Sequence, residues 1–400
     1  MMTSATCRDA AETPPGGLRI QGLDGLRGIA VLAVVVFHAF RIRDMPGFVP
    51  AIWRAFVFST WVGVDLFFVL SGFLITGILL DTREDRRYFR NFYARRTLRI
   101  FPLYYAVLAV ALIVIPRVVG LTRLPPLFPR LIENQFWLWT YLQNYLQATG
   151  KHTLPGFGHF WTLAVEEQFY WMWPLIVWLL SRRGLFRFCL AMVAVSPLLR
   201  LALIALGTQN WAIRQYTFTR ADTLLYGALA ALVVRDTGMH RALQRSARIL
   251  VPISFLSLVV MLVRSGFLPY EETETLLIGY SALGILFSAL IYRVVTTNLF
   301  AVVLSSKVLR WFGKYSYGIY VFHWPVVQAY ESLAAPRFAP GFPYWNAVLS
   351  LASVTLVSAS AAFISWTCFE SQILKAKKWF EYEPHHVEVS SDSLSPARSS

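Results

Sequence analysis

The sequence predicts an all-α polytopic membrane protein, with about ten transmembrane helices in one bundle and both termini cytoplasmic. Three observations carry that prediction. Of 400 residues, 56% are hydrophobic and only 15% charged, and the mean hydropathy is +0.51. The apolar residues gather in runs long enough for a bilayer core, which takes about 20 helical residues to cross. The basic residues gather in alternate loops between those runs, as membrane orientation by positive-inside bias requires.

In chain order, residues 1–19 hold Asp9, Glu12 and a Pro-Pro-Gly-Gly run, which is no signal-peptide n-region. They read as a disordered cytoplasmic tail, and the first apolar run as a retained membrane helix. Candidate spans follow at 23–42, 58–80, 98–116, 159–180, 186–206, 220–235, 249–265, 276–295, 315–333 and 345–369. The loops after spans two, four, six and eight carry the arginines from Arg83 to Arg99, then Arg182, Arg183 and Arg187, then Arg235 to Arg248, then Lys307, Arg310 and Lys314. The opposite loops are poorer in basic residues, and one holds Glu271, Glu272 and Glu274. The connection 117–158 is expected to form a lid or half-buried helix, with Trp137, Trp139 and Tyr141 in the membrane interface. Residues 20–372 make one transmembrane domain, and 373–400 a basic and then disordered cytoplasmic tail.

The net charge of +15 does not indicate nucleic acid, because it is spread over short loops and no nucleic-acid motif accompanies it. Three cysteines, Cys7, Cys189 and Cys368, form no disulfide framework or metal-ligand spacing.

The polar residues inside apolar runs carry the functional argument. Arg27 and His38 are eleven positions apart, about three helical turns plus 20°, so they share a face and lie roughly 16 Å apart along the axis. An ionisable residue at the depth of His38 faces a bundle interior or wet cavity and marks a functional site; a packed neutral histidine is the alternative. Asp65 in span two needs a partner, for which His38 or an arginine would serve; a structural ion pair is equally open. Gly63, Ser71, Gly72 and Thr76 permit close helix packing. Arg95, Arg96 and Arg99 cluster where span three enters the membrane, suited either to gripping phosphates or to anchoring. Glu166 and Glu167 open span four and could meet His38 in the outer half, with one of the two facing inward. A carboxylate beside an imidazole would fix its tautomer for general-base work. Arg220 and Asp222 read most simply as a local ion pair. His323 lies near mid-membrane, just before Pro325. A metal site from His38, His159 and Glu166 lacks any recurring ligand spacing, and none is expected.

Six stretches together resemble the acyltransferase-3 family of integral-membrane acyltransferases. They are Leu23-Asp24-Gly25-Leu26-Arg27-Gly28 leading to His38, Gly63-Val-Asp65 through Ser71-Gly72-Phe73, Arg95-Arg96-Thr-Leu-Arg99-Ile-Phe-Pro102, Trp161 through Glu166-Glu167-Gln168-Phe-Tyr170, Arg220-Ala-Asp222, and Ser316-Tyr317-Gly318-Ile-Tyr320 leading to His323. They occur in the family's order across roughly residues 20 to 370. Trp161-Thr162 stands where the family usually has Trp-Ser, and Glu370 is followed by Ser371 and Gln372 rather than Arg-Pro. The esterase-like domain fused to some members is not expected.

The resemblance implies transfer of an acyl group, commonly acetyl, from cytoplasmic acyl-coenzyme A to a hydroxyl of a sugar or glycoconjugate at the cell inner (plasma) membrane. Acyl-coenzyme A is then a co-substrate, with no permanently bound cofactor. The implied roles are catalytic for His38, Asp65, Glu166, Glu167 and His323, donor-binding for Arg27, Arg95, Arg96 and Arg99, and acceptor-binding for Trp161, Tyr170, Arg220, Asp222 and Tyr317. His38 is expected as general base or transient acyl carrier, oriented by Asp65 or a span-four glutamate. The competing reading from another class is a proton-coupled transporter, with His38, Asp65, Glu166 and His323 as the relay. A scaffold without chemistry would tolerate His38→Ala.

Overall fold

The computed structural model describes residues 21–40, 51–120, 128–150, 154–297, 299–335 and 343–382. The expected tail 1–19, residues 383–400 of the C-terminal tail, and positions 121–127 and 151–153 of the long connection lie outside them.

Ten helices of at least 18 residues make up the described fold: α1 (Gln21–Ala39), α2 (Gly63–Asp81), α3 (Tyr88–Ala109), α4 (Trp161–Leu179), α5 (Arg182–Ala205), α6 (Thr217–Arg235), α7 (Thr237–Ser265), α8 (Tyr280–Thr297), α9 (Lys307–Leu333) and α10 (Pro343–Ser365). The protein is all-α and polytopic. Eight of the ten, several with their flanking turns, are long and apolar enough to cross a membrane. The two that fall short are α4 and α9, whose interiors hold Glu166, Glu167 and Gln168 in one case and Lys314, Ser316 and His323 in the other. The polar residues of α4 lie in its first half, beside buried neighbours, while its second half exposes Trp171, Met172, Leu175 and Trp178.

Helix starts differ from expectation where a cap outweighs hydropathy. Span seven was expected from 249, but α7 begins at Thr237, where the Asp236 carboxylate accepts from the amides of Gly238 (2.8 Å) and Met239 (3.1 Å). Such a cap satisfies otherwise orphaned amides and carries the helix out past the apolar stretch. Ser306 caps α9 in the same way, accepting from Leu309, so that helix starts eight residues before the expected 315.

The bundle centres on α1, which packs on α9 and α2, while α6 packs on α2, α5 and α8. Two glycine contacts make these crossings close. A Cβ on Gly72 of α2 would lie 1.8 Å from the Leu224 carbonyl oxygen of α6, and one on Gly28 of α1 would lie 2.1 Å from the Leu309 carbonyl oxygen of α9. Only hydrogen fits there, and such small-residue seams bring helix backbones together without a hydrophobic driving force. The opposite faces of α5, α7 and α10 expose Leu198, Phe255, Val263, Leu356 and Ile364, a lipid-facing pattern.

The bundle has two distinct ends. At one, Arg83 donates to the Trp178 carbonyl (2.8 Å) and Arg235 pairs with Asp81 (2.6 Å), drawing together the turns after α2, α4 and α6. At the other, Trp61 donates to the Leu268 carbonyl (2.7 Å) and Arg214 pairs with Glu271 (3.4 Å).

The described part of the long connection forms three short helices, Phe128–Glu133, Gln135–Trp139 and Gln143–Ala148. Its aromatic residues depart from the interfacial expectation. Tyr141 is buried, stacked on Tyr104 at 4.1 Å, and Trp139 lies parallel to Tyr105 at 5.8 Å. The tyrosine faces of α3 offer these rings a drier partner than the interface. After α10, residues Lys375–Phe380 form a 3-10 turn rather than a loose basic tail. It is strapped across α3 by Asn91 donating to the Glu381 carbonyl (2.9 Å) and Arg95 donating to the Phe380 carbonyl (3.4 Å).

Gly72→Ala should lower the thermal unfolding temperature in detergent more than Gly22→Ala. A methyl at Gly72 meets backbone, whereas at Gly22 it meets the tip of Val294; overpacking against fixed atoms costs about 1–3 kcal/mol.

Candidate active site

Two cavities lie at opposite ends of α1. The larger, about 740 Å³, is lined by His38, Asp65, His159, Trp161, Arg220 and Tyr320 among others, and extends to the 267–272 loop. The α1–α9 seam sets its chemistry. His323, fully buried, places Nδ1 2.7 Å from the Tyr320 carbonyl. That nitrogen must donate, because a carbonyl only accepts, so His323 Nε2 is left as an acceptor. It lies 3.2 Å from His38 Nδ1, which is itself 3.1 Å from the Val34 carbonyl. His38 Nδ1 therefore carries the proton, shared between those two acceptors. Its Nε2 keeps a lone pair, the form a general base needs. This assignment follows from the hydrogen-bond network.

The orienting partner of His38 is thus His323, which corrects the expectation that Asp65 or a span-four glutamate holds the imidazole. Asp65 accepts from Arg220 at 2.6 Å, with both side chains about 1% exposed. Asp222 is also drawn elsewhere: it pairs with Arg200 of α5 at 2.8 Å, fully buried. Arg220 and Asp222 are therefore not a local pair, and Asp222 lines neither cavity. The physical reason is desolvation. Four charges in one apolar bundle persist by pairing across helices, with Arg220 also stacked 3.6 Å over the Tyr280 ring.

The second cavity, about 130 Å³, is an arginine chamber lined by Arg27, Arg96, Arg99, Glu166, Glu167, Tyr170 and others. Arg96 lies over the Tyr170 ring (4.7 Å) and Arg99 over the Trp366 ring (4.9 Å). Arg95 does not join them, since α3 turns it toward Phe380 and the Tyr382 ring. Glu166 faces Ser71, Tyr170, Arg27 and Arg96 rather than His38. Both glutamates line this chamber, against the expectation that one faces inward: the chamber wraps more of α4 than one stripe. Tyr170 is held by Ser71, and Tyr317 donates to the Ile100 carbonyl at 2.7 Å. Gln168 serves the scaffold, donating to the Tyr141 carbonyl (2.7 Å) and the Asn144 side chain (3.0 Å).

A family model described as an acyltransferase domain matches residues 20–368. The chain belongs to the acyltransferase-3 family. The family's similar curated proteins include a peptidoglycan O-acetyltransferase, OatA, of Listeria monocytogenes serovar 1/2a, 28% identical over 89% of this chain and 56% of the relative. The O-acetyltransferase OatA of Staphylococcus aureus is 26% identical over 89% of this chain and 57% of the relative. A putative peptidoglycan O-acetyltransferase, YrhL, of Bacillus subtilis is 29% identical over 86% of this chain and 54% of the relative. The chain spans about half the length of these relatives. No solved structure matches.

Sequence reasoning passed over Tyr320 and gave His159 only a metal role. The His159 ring instead packs against His323 at 4.8 Å, centroid to centroid, and among the described residues no group of His, Cys, Asp or Glu is placed to share a metal ion. Tyr320 lies one helical turn before His323, a spacing that could have marked it. Arg214, over the Trp161 and Tyr270 rings at 5.0 Å, had no sequence signal, because it lies in a short helix, Asn210–Gln215, of no pattern.

Arg200→Met alone should destabilise the protein by about 3–5 kcal/mol, because Asp222 is left buried and unpaired. Arg200→Met with Asp222→Leu should recover most of that loss in thermal unfolding. An equally unstable double variant would contradict the pairing.

Proposed function

We propose that the protein is a membrane O-acetyltransferase that moves an acetyl group from acyl-coenzyme A to a hydroxyl of a cell-wall sugar or glycoconjugate, with His38 as general base. The observation that carries this reading is the tautomer of His38, whose Nε2 lone pair is left available in a cavity large enough for a glycan segment. A cavity of several hundred Å³ with convergent polar groups is typical of a substrate site. Relatives named as O-acetyltransferases supply the acyl group, and the peptidoglycan named for two of them the acceptor class.

The two cavities divide the work. Arg27, Arg96 and Arg99 suit a donor carrying phosphates, and the arginine-bearing end of the bundle is then cytoplasmic, along with both termini. The chamber is too small for a whole coenzyme. It would take the acyl-bearing arm while the nucleotide lies outside it, at the arginine-bearing end of the bundle. Glu166 lies within electrostatic reach of Arg27 and Arg96 and offsets part of their charge. On the other side, the acceptor hydroxyl enters the histidine cavity, with Trp161 and Arg220 on its wall. His38 Nε2 takes the hydroxyl proton as the oxygen attacks the acyl carbon. The carbon–sulfur bond then breaks, and the thiolate leaves with that proton. His323 is a positioning residue, because it acts through His38.

The test is coenzyme A release from acetyl-coenzyme A by detergent-purified protein, with and without crude peptidoglycan precursors or glycolipid. His38→Ala should lower acceptor-stimulated release by about 10²–10⁴-fold, the usual share of a general base. Arg96→Ala should mainly raise the KM for the donor. Wild-type protein that binds no coenzyme A at all would overturn this reading in favour of the proton-coupled transporter.

A further inference from the structure

The arginine chamber and the histidine cavity are separate, and the same three residues line both: Val64, Thr162 and Tyr320. These form the wall between them. The Thr162 and Tyr320 hydroxyls lie 2.5 Å apart, and the Tyr320 hydroxyl also lies 3.0 Å from the His159 carbonyl. Thr162 Oγ1 lies 3.2 Å from the same carbonyl, so either hydroxyl can donate to it while the other supplies the proton between the two. Thr162 starts α4 and Tyr320 is in the middle of α9, so one bond ties together the two least apolar helices of the bundle. Both side chains are buried.

On the reading of two substrates in two cavities, on which this inference rests, the acyl carbon and the acceptor oxygen must meet across this wall. We propose that Thr162 and Tyr320 form a shutter, closed at rest, that keeps water of the histidine cavity from the thioester until an acceptor displaces it. Two hydroxyls suit that task better than an apolar plug. Their mutual bond can be exchanged for bonds to a thioester carbonyl and an acceptor hydroxyl at small net cost, whereas an apolar plug would leave the arriving groups unpaired. Tyr320 also has two separate duties. Its backbone carbonyl fixes the His323 tautomer, and its side chain closes the wall. The side chain can swing aside about its own torsions while the base stays oriented.

The side reaction that the shutter suppresses is hydrolysis. A water oxygen attacks the thioester carbon, the carbon–sulfur bond breaks, and acetate and the free thiol result. Thr162→Val keeps the volume and removes the bond; Tyr320→Phe removes the hydroxyl and keeps the ring. Each should raise the ratio of acceptor-independent to acceptor-dependent coenzyme A release at least threefold in purified full-length protein. A ratio unchanged in both variants would overturn the shutter. So would loss of both activities in Tyr320→Phe, which would make the hydroxyl a chemical participant instead.

A second measurement does not depend on catalysis or on the donor. Ser316 lines the arginine chamber. In protein whose three cysteines are replaced by serine, Ser316→Cys is exposed to a charged, membrane-impermeant thiol reagent applied from the side of the 267–272 loop in sealed vesicles. Thr162→Val or Tyr320→Ala should speed labelling at least fivefold over the shuttered parent, and equal rates would refute the wall. Should the wild type release no coenzyme A from any donor, the transferase reading fails, and labelling still decides whether the wall opens.

Discussion

The site depends on how closely α1 and α9 approach. Glycines at Gly28 and Gly313 let each backbone lie against the other's carbonyls, at Leu309 and Asp24 respectively. At that separation His38 and His323 share a hydrogen bond, which gives a second acceptor to the proton that the Val34 carbonyl already places on His38 Nδ1. A backbone constraint at one end of the helix thus sets a hydrogen-bond partner of a side chain about three turns away. The helix between is rigid enough to carry register from one to the other.

The ionised groups follow a different rule. Burial in an apolar bundle leaves a carboxylate few choices, and both buried aspartates took arginines from other helices: Asp65 with Arg220, Asp222 with Arg200. These pairs lock α2, α5 and α6 together. The imidazole of His38, bonded to the Val34 carbonyl and His323, stays clear of the ion pairs. Frame and cavity are separated by charge state: the ions hold the helices together, and of the two bonded histidines His38 keeps the free lone pair, at Nε2.

Much of this was legible in the sequence. Hydropathy gave the helices, because lipid-facing sides of α5, α7 and α10 must be apolar whatever they pack against. The shared face of Arg27 and His38 followed from helical geometry alone, and the structure sets Arg27 at one cavity and His38, in the last turn of α1, at the other. Pairing across helices was not legible. Nothing local distinguishes Arg220 beside Asp222 from Arg220 bonded to a residue 155 positions away, since the choice depends on which helices adjoin. The same limit hid His323 as the partner of His38 and placed Arg95 wrongly, for its direction is decided by Phe380 and Tyr382. The early start of α7 could have been read from the Asp236 cap, but hydropathy masked it.

The distance in sequence between His38 and His323 bears on how the protein is made. His38 belongs to the first of the ten long described helices and His323 to the ninth, 285 positions later. Throughout most of synthesis the imidazole of His38 has its own Val34 carbonyl but no second acceptor and no walled cavity. Both Thr162 and the arginines of α3 are in place well before Tyr320 arrives. The nascent chain therefore has the arginines before it has α9, whose Ser316, Tyr317 and Tyr320 complete the chamber around them. A partly synthesised bundle carries the arginines of one cavity and the first histidine of the other, and lacks the Tyr320 wall that α9 lends to both.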